Sequence, residues 1–185
     1  MAGEWPRTEL MGLEAAGRTF GLIGYGAISR EVAVRAKSLG MTVIAYDPYI
    51  EPNSSVWGNT GRTALDEVIQ ASDVISCHIP LTSETRLIIN KSAVSRMRTG
   101  AIIINASRGG VVDEKAIIVG LKSGKLGGAA LDVFEREPLD RKTGAEFIKT
   151  PNLIITPHVA WATEEAEIKT GEVTVANIRR VLDHN

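Results

Sequence analysis

Cysteine is almost absent. Cys77 is the only one in 185 residues, which excludes an intrachain disulfide and any CxxC metal or redox motif. No metal site is expected. No apolar run approaches the ~20 residues that a membrane helix needs, and Met1–Arg7 lacks the basic-then-apolar layout of a secretory leader. Charge of one sign is not in excess either. Lys and Arg total 21 against 22 Asp and Glu, a formal net charge of −1, which argues against a general nucleic-acid surface. Repeats and low-complexity tracts are missing too. These absences point to a chain of the reducing cytoplasm with neither membrane nor nucleic acid as partner. Its length fits one domain with short appendages, and 44% hydrophobic residues can bury a core.

What is present is alternation between short strand-forming runs and helical patterns. Thr19–Ile23, Thr42–Tyr46, Asp73–Cys77, Ala101–Asn105, Gly128–Asp132 and Leu153–Thr156 read as strands. Between them, Ile28, Val32, Ala36 and Leu39 recur at helical spacing until Gly40 stops the helix. Ala64–Ala71 and Lys91–Met97 read as helices, and Asp113 can cap another that runs to Leu121 before Ser123-Gly124. From Thr163 onward, Ile168, Val175, Ile178 and Leu182 mark one face of a long helix capped by Thr163. Strands that are apolar throughout are expected to be buried on both faces. Alternation with helices implies βαβ units, a parallel sheet and right-handed crossovers. Ligands of such sheets bind outside the carboxyl ends of the strands. Chemistry is therefore sought just after Ile23, Tyr46, Cys77, Asn105 and Leu131.

Gly24-Tyr25-Gly26-Ala27-Ile28-Ser29 sits where the first strand turns into the first helix. Gly24 permits the tight turn. Gly26 lets a pyrophosphate approach the backbone, and the helix start at Ala27 and Ile28 offers N–H groups and a positive dipole end. Ser29 stands where Gly or Ala is usual, so slightly looser helix–strand packing is expected. Asp47 ends the next strand 21 residues after Gly26. A carboxylate there accepts hydrogen bonds from both ribose hydroxyls of adenosine and repels a 2′-phosphate, favouring NAD over NADP. Alone, Asp47 before Pro48 is equally a turn residue.

Longer motifs follow in order: Gly21-Leu-Ile-Gly-Tyr-Gly-Ala-Ile, Ala45-Tyr-Asp-Pro-Tyr, His78-Ile-Pro-Leu-Thr with Glu84-Thr-Arg, Asn105-Ala-Ser-Arg-Gly-Gly-Val-Val-Asp-Glu, Ala130-Leu-Asp-Val-Phe-Glu-Arg-Glu-Pro-Leu and Thr156-Pro-His-Val-Ala-Trp. In these the chain resembles the D-isomer-specific 2-hydroxyacid dehydrogenases, from about Trp5 to the last helix. The resemblance implies hydride transfer between NAD(H) and a D-2-hydroxy acid or its 2-keto acid, of the glycerate/hydroxypyruvate or 3-phosphoglycerate type. It implies that Arg108 holds the substrate carboxylate and polarises the keto oxygen, a task suited to a planar multi-donor guanidinium. It implies that His158 is the acid/base, a role that fits an unperturbed pKa near ~6.5. It pairs Glu137 with His158, which would orient the ring, stabilise its protonated form and raise its pKa. Keto-acid reduction is then expected to fall as pH rises through that pKa.

By the same resemblance His78, Pro80, Ala106, Ser107 and Ala160 line the cofactor, with Trp161 near it, and Thr85 does so more weakly. Asp132 is expected near the nicotinamide carboxamide, although it can also simply end a strand. Cys77 reads as an inert core thiol, since nothing nearby in sequence activates it, and His184 as a surface residue.

The expected fold is α/β, a Rossmann-type doubly wound parallel sheet in three layers. Residues 1–17 read as a linker or lead-in helix segment, 18–162 as the NAD-binding domain and 163–185 as the C-terminal helix. Relative to the family, a substrate domain is absent from this chain, so NAD binding with little turnover is expected. A homodimer through the nucleotide-binding domain is implied. Trp161 resembles glycerate or hydroxypyruvate reductases more than phosphoglycerate enzymes. The alternative functions are an NAD-sensing module of corepressor type and a structural dimerisation fragment. Site chemistry rather than fold favours the enzyme.

Overall fold

A computed structural model of the chain describes residues 11–183. Trp5 and His184, and residues 1–10 of the expected lead-in segment, lie outside them. Residues 11–17 carry a turn rather than a helix, tied to the domain where Gly17 N–H donates to the Gly40 carbonyl at 2.9 Å.

Among the described residues seven strands form one sheet: β1 (Thr19–Ile23), β2 (Thr42–Tyr46), β3 (Gly61–Arg62), β4 (Val74–Cys77), β5 (Ala101–Asn105), β6 (Leu126–Leu131) and β7 (Leu153–Ile155). Their order is β3-β2-β1-β4-β5-β6-β7, and every neighbouring pair is parallel. The helices are α1 (Ala27–Ser38), α2 (Leu65–Ala71), α3 (Lys91–Arg96), α4 (Glu114–Lys122), α5 (Ala145–Ile148) and α6 (Glu164–Leu182). Strand order reverses between β1 and β4, so the loops after these strands diverge and open a crevice at the carboxyl edge.

Alternation along β1 sends side chains to two cores. Phe20 and Leu22 join Val43 and Ala45 beneath Ala33 and Ala36 of α1. Ile23, Ile75, Cys77 and Ile103 pack on the other face against Val68 and Ile69 of α2, Val94 of α3 and Ile117 of α4. Helix, sheet and helix make the three layers.

Capping follows local chemistry. The side chains of Asn90, Asp113 and Thr163 accept from the amides of Ala93, Ala116 and Ala166 at the starts of α3, α4 and α6. Gly40 ends α1 at φ +78°, where a Cβ would be strained.

Several expectations are corrected. The buried face of α1 is Ser29, Ala33 and Ala36, whereas Ile28 is 74% exposed and Leu39 is also exposed. Small residues let this helix lie close on β1 and β2. Ser29 does not loosen the packing. It is fully buried, and its hydroxyl donates to the Gly26 carbonyl at 3.0 Å. The apolar strands are not all covered on both faces. Ile102 and Ile155 are exposed, and Ile154 is 67% exposed. The helix α6 buries none of its residues. The 3-10 turn Ser55–Trp57, β3 and α5 carry too few residues to show a period and were not expected.

Candidate active site

The glycine loop is built by close backbone approach. A Cβ at Gly24, where φ is +89°, would overlap the His78 carbonyl that begins the loop after β4. Gly24 N–H donates to the Tyr46 carbonyl at 2.8 Å, so β1, β2 and β4 converge on this residue. Tyr25 anchors the loop from below. Its ring stacks on Trp57, centroids 5.1 Å apart and 7° from parallel, and its hydroxyl lies 2.6 Å from that of Thr60.

A Cβ at Gly26 would meet nothing within 4 Å. Among the described residues no side chain caps the start of α1, and no acidic residue occupies its first turn. These are the features of a helix start suited to a phosphate. Asp47 lies directly across. One carboxylate oxygen accepts the Tyr25 amide at 2.8 Å and the other accepts the Tyr49 amide at 3.0 Å. Asp47 thus shapes its own turn and also reaches the glycine loop. The open space at Gly26, the uncapped helix and the adjacent carboxylate together fit a dinucleotide.

His78 follows β4, and its amide donates to the Ile23 carbonyl at 2.7 Å. Its Nε2 is 3.0 Å from the Ser76 hydroxyl, and burial pushes its pKa down. Burial there disfavours the charged imidazolium. Pro80 is exposed, and its carbonyl accepts the Thr85 hydroxyl at 2.6 Å.

After β5, Asn105 is fully buried and shapes the turn that carries Arg108. Its Oδ1 accepts the amide and hydroxyl of Ser107 at 3.1 and 2.8 Å, and its Nδ2 donates to the Arg108 carbonyl at 3.0 Å. Ala106 and Arg108 are exposed, and the guanidinium folds back to donate to the Ser107 carbonyl at 2.6 Å.

After β6, Asp132 is buried and accepts three hydrogen bonds. Thr156 hydroxyl and Val159 amide reach one oxygen at 2.5 and 2.9 Å, and the Ala160 amide reaches the other at 2.9 Å. Its carbonyl accepts the His158 amide at 2.9 Å. The 156–160 turn is thereby wrapped around one carboxylate, with His158 in the left-handed region at φ +57°. Burial works to raise the Asp132 carboxyl, but hydrogen bonds from Thr156, Ala160 and Val159 outweigh it and hold the group below its usual range.

His158 Nδ1 is 2.8 Å from Glu137 Oε2, with side chains 44% and 34% exposed. The other Glu137 oxygen accepts the Phe134 amide at 2.8 Å. The hydrogen bond with His158 first, then that from Phe134, holds the Glu137 carboxyl below the usual range. A cleft of about 510 Å³ opens beside the pair, with Phe134, Pro138, Leu139 and Ile155 among its walls.

The structure therefore joins Gly24, Gly26 and Asp47 in one cluster and Asp132, Glu137, His158 and Ala160 in another. The arginine turn lies against the second, because a Cβ on Gly109 would overlap the Phe134 carbonyl. Asn105, Thr156 and Glu114 organise these turns and were not singled out from the sequence. All three stood inside the quoted motifs, but their partners lie across turns or on other segments. No group of His, Cys, Asp and Glu suited to a metal occurs among the described residues.

Comparison with known proteins places the chain in a family. Residues 1–160 match a family model described as D-isomer specific 2-hydroxyacid dehydrogenase, NAD binding domain. The chain is 43% identical over 183 residues to an (S)-sulfolactate dehydrogenase of Chromohalobacter salexigens, covering 98% of this chain and 59% of that protein. It is 41% identical over 180 residues to a hydroxypyruvate reductase of Thermotoga maritima, covering 97% and 58%. A crystal structure of D-lactate dehydrogenase from Aquifex aeolicus, complexed with NAD and lactic acid, superposes with a TM-score of 0.83 at 33% identity, covering 95% of this chain and 56% of that one. The chain thus spans under two thirds of the length of these proteins.

Proposed function

Since this chain belongs to the D-isomer-specific 2-hydroxyacid dehydrogenases, through their NAD-binding domain, we propose that it carries the cofactor site and the proton-transfer pair of an NAD-dependent oxidoreductase for a short D-2-hydroxy acid. The relatives named for sulfolactate and hydroxypyruvate support a substrate with a polar group on carbon 3. Glycerate/hydroxypyruvate or 3-phosphoglycerate types fit that description. The observation that carries the reading is the 2.8 Å contact between His158 Nδ1 and Glu137, placed against the Arg108 turn.

In this reading the Gly24–Gly26 loop and the start of α1, with Ala27 and Ile28, hold the pyrophosphate, and Asp47 holds the adenosine ribose. His78, Pro80, Thr85, Ala106, Ser107 and Ala160 form the remaining wall, and Asp132 closes the nicotinamide end while holding the His158 turn. NAD, when bound, supplies the acceptor or donor of the hydride at carbon 2. Arg108 binds the substrate carboxylate bidentately and draws electron density from the keto oxygen. With Nδ1 held by Glu137, His158 Nε2 is the atom that gives a proton to that oxygen in reduction and takes it back in oxidation. Residues 18–162 are the proposed cofactor domain and 163–185 its trailing helix.

Calorimetry with NAD and an NADH-oxidation assay with hydroxypyruvate or glyoxylate test the reading. Asp47→Ala is expected to weaken NAD about tenfold or more, the worth of a charge-assisted hydrogen bond. In a turnover-competent form, His158→Ala is expected to lower turnover by about 10²–10⁴. Near-normal turnover in that variant would overturn the assignment.

A further inference from the structure

We propose that Glu114 is a positioning residue for the Glu137–His158 pair, holding the Phe134–Glu135 segment at a set distance from the Arg108 turn; the inference rests on the role of that pair given above. Glu114 opens α4, directly after the loop that carries Arg108. Its Oε1 accepts the Glu135 amide at 2.6 Å. The amide just before it, that of Phe134, donates to Glu137 Oε1 at 2.8 Å. Two consecutive amides are therefore taken by two carboxylates from opposite sides, one from α4 and one from the pair.

The carbonyl between those amides belongs to Phe134, and it lies against Gly109, where any Cβ would overlap it. The Glu135 carboxylate pairs with Arg86, and a Cβ on Gly110 would stand 3.4 Å from that guanidinium. The Leu87 amide donates to the Gly110 carbonyl at 2.8 Å. The joint thus connects the arginine turn, the start of α4 and the segment bearing Glu137, with Glu114 supplying its charged acceptor.

Charge alone does not account for a carboxylate at this place. Burial raises the Glu114 carboxyl, the Glu135 amide opposes that, and nearby Glu135, Asp113 and Glu137 push it up further. Three like charges disfavour a fourth. The start of α4 favours an acid by its dipole, but that role is already served by Asp113, whose side chain caps the helix. What Glu114 alone does is reach the Glu135 amide.

Position and charge make opposite predictions for Glu137. If Glu114 acts only as a nearby negative charge, removing the charge lowers the Glu137 titration whatever replaces it. If Glu114 holds the segment, losing the acceptor relaxes the Phe134 and His158 hydrogen bonds to Glu137, and its titration rises. The experiment is carboxyl ¹³C NMR of Glu137 against pH in the parent chain and in E114Q, E114A and E114D, with the amide spectrum reporting the fold. E114Q keeps the acceptor, so Glu137 is expected to stay or move down. E114A loses it, so Glu137 is expected to move up. E114D keeps the charge on a shorter arm and is also expected to move Glu137 up, which preserves the test should E114A not fold. A downward shift shared by E114Q and E114A, or no shift in E114A and E114D, overturns the proposal. H158A is the control for the underlying reading. If Glu137 titrates unchanged in H158A, the pair is not coupled and the reading of the site fails first.

Discussion

Asp132 shows how much one side chain can set. Its carboxylate and carbonyl together receive Thr156, His158, Val159 and Ala160, and they hold His158 in a backbone region that non-glycine residues enter rarely. An amide in its place presents N–H₂ where the Ala160 or Val159 N–H needs an acceptor. Asp132→Asn is therefore expected to lower stability by about 1–3 kcal/mol, the range for an unsatisfied buried donor, as measured by urea unfolding. Asp132 and Glu137 both titrate below their ordinary ranges. A lowered carboxyl contributes stability that is present above its unfolded pKa, about 4, and is lost as pH falls through the folded value. The chain is expected to lose stability in acid below about pH 4, and Asp132→Asn is expected to lose less, as read from urea midpoints across that window. Cys77 is fully buried, and burial pushes its thiol up to about 12. A thiol reagent at pH 8 is expected to leave it unlabelled until the chain unfolds, which mass spectrometry can follow.

Among the elements, α1 and the loop before it divide what local pattern reveals from what packing decides. Gly40 as the stop, Asp113 and Thr163 as caps, and the carboxyl-end placement of Asp47, Arg108 and Asp132 were legible, because turns and caps depend on neighbours in sequence. The buried face of α1 was legible only in part. The helical spacing found Ala36, which is buried, and Val32, which packs against the core, but it also selected the exposed Ile28 and Leu39 and missed Ser29 and Ala33. The Tyr25–Trp57 stack under the glycine loop was also invisible, since its rings come from segments 32 residues apart. Trp57→Ala is expected to cost about 3–5 kcal/mol, as for a buried aromatic removed from a core, and to weaken NAD by freeing Tyr25. Chemical denaturation and calorimetry with NAD measure the two effects.

At the scale of the molecule, the sheet is covered unevenly. Large apolar residues of β5 and β7 remain exposed, and Ile168, Val175 and Ile178 of α6 are exposed with them. No helix among the described residues is long and apolar enough to cross a membrane. Amides of α6 are expected to exchange with deuterium well before those of β1, β4 and β5, because little buried surface opposes its opening. Peptide-level exchange measurements check this. The homodimer remains a proposal, and sedimentation velocity showing a single species at twice the chain mass would support it.

The sequence by itself determined the order of six of the seven strands and five of the six helices among the described residues, the family and the residues worth testing. Periodicity, caps and linear motifs are properties of neighbours along the chain. Only the tertiary structure decided what those residues touch. Asp47 accepts the Tyr25 amide, Asp132 gathers the His158 turn, and Glu114 reaches Glu135. Each of these contacts spans more than twenty residues, and each depends on strand register and on helices settling to within a hydrogen-bond length, which no local pattern encodes.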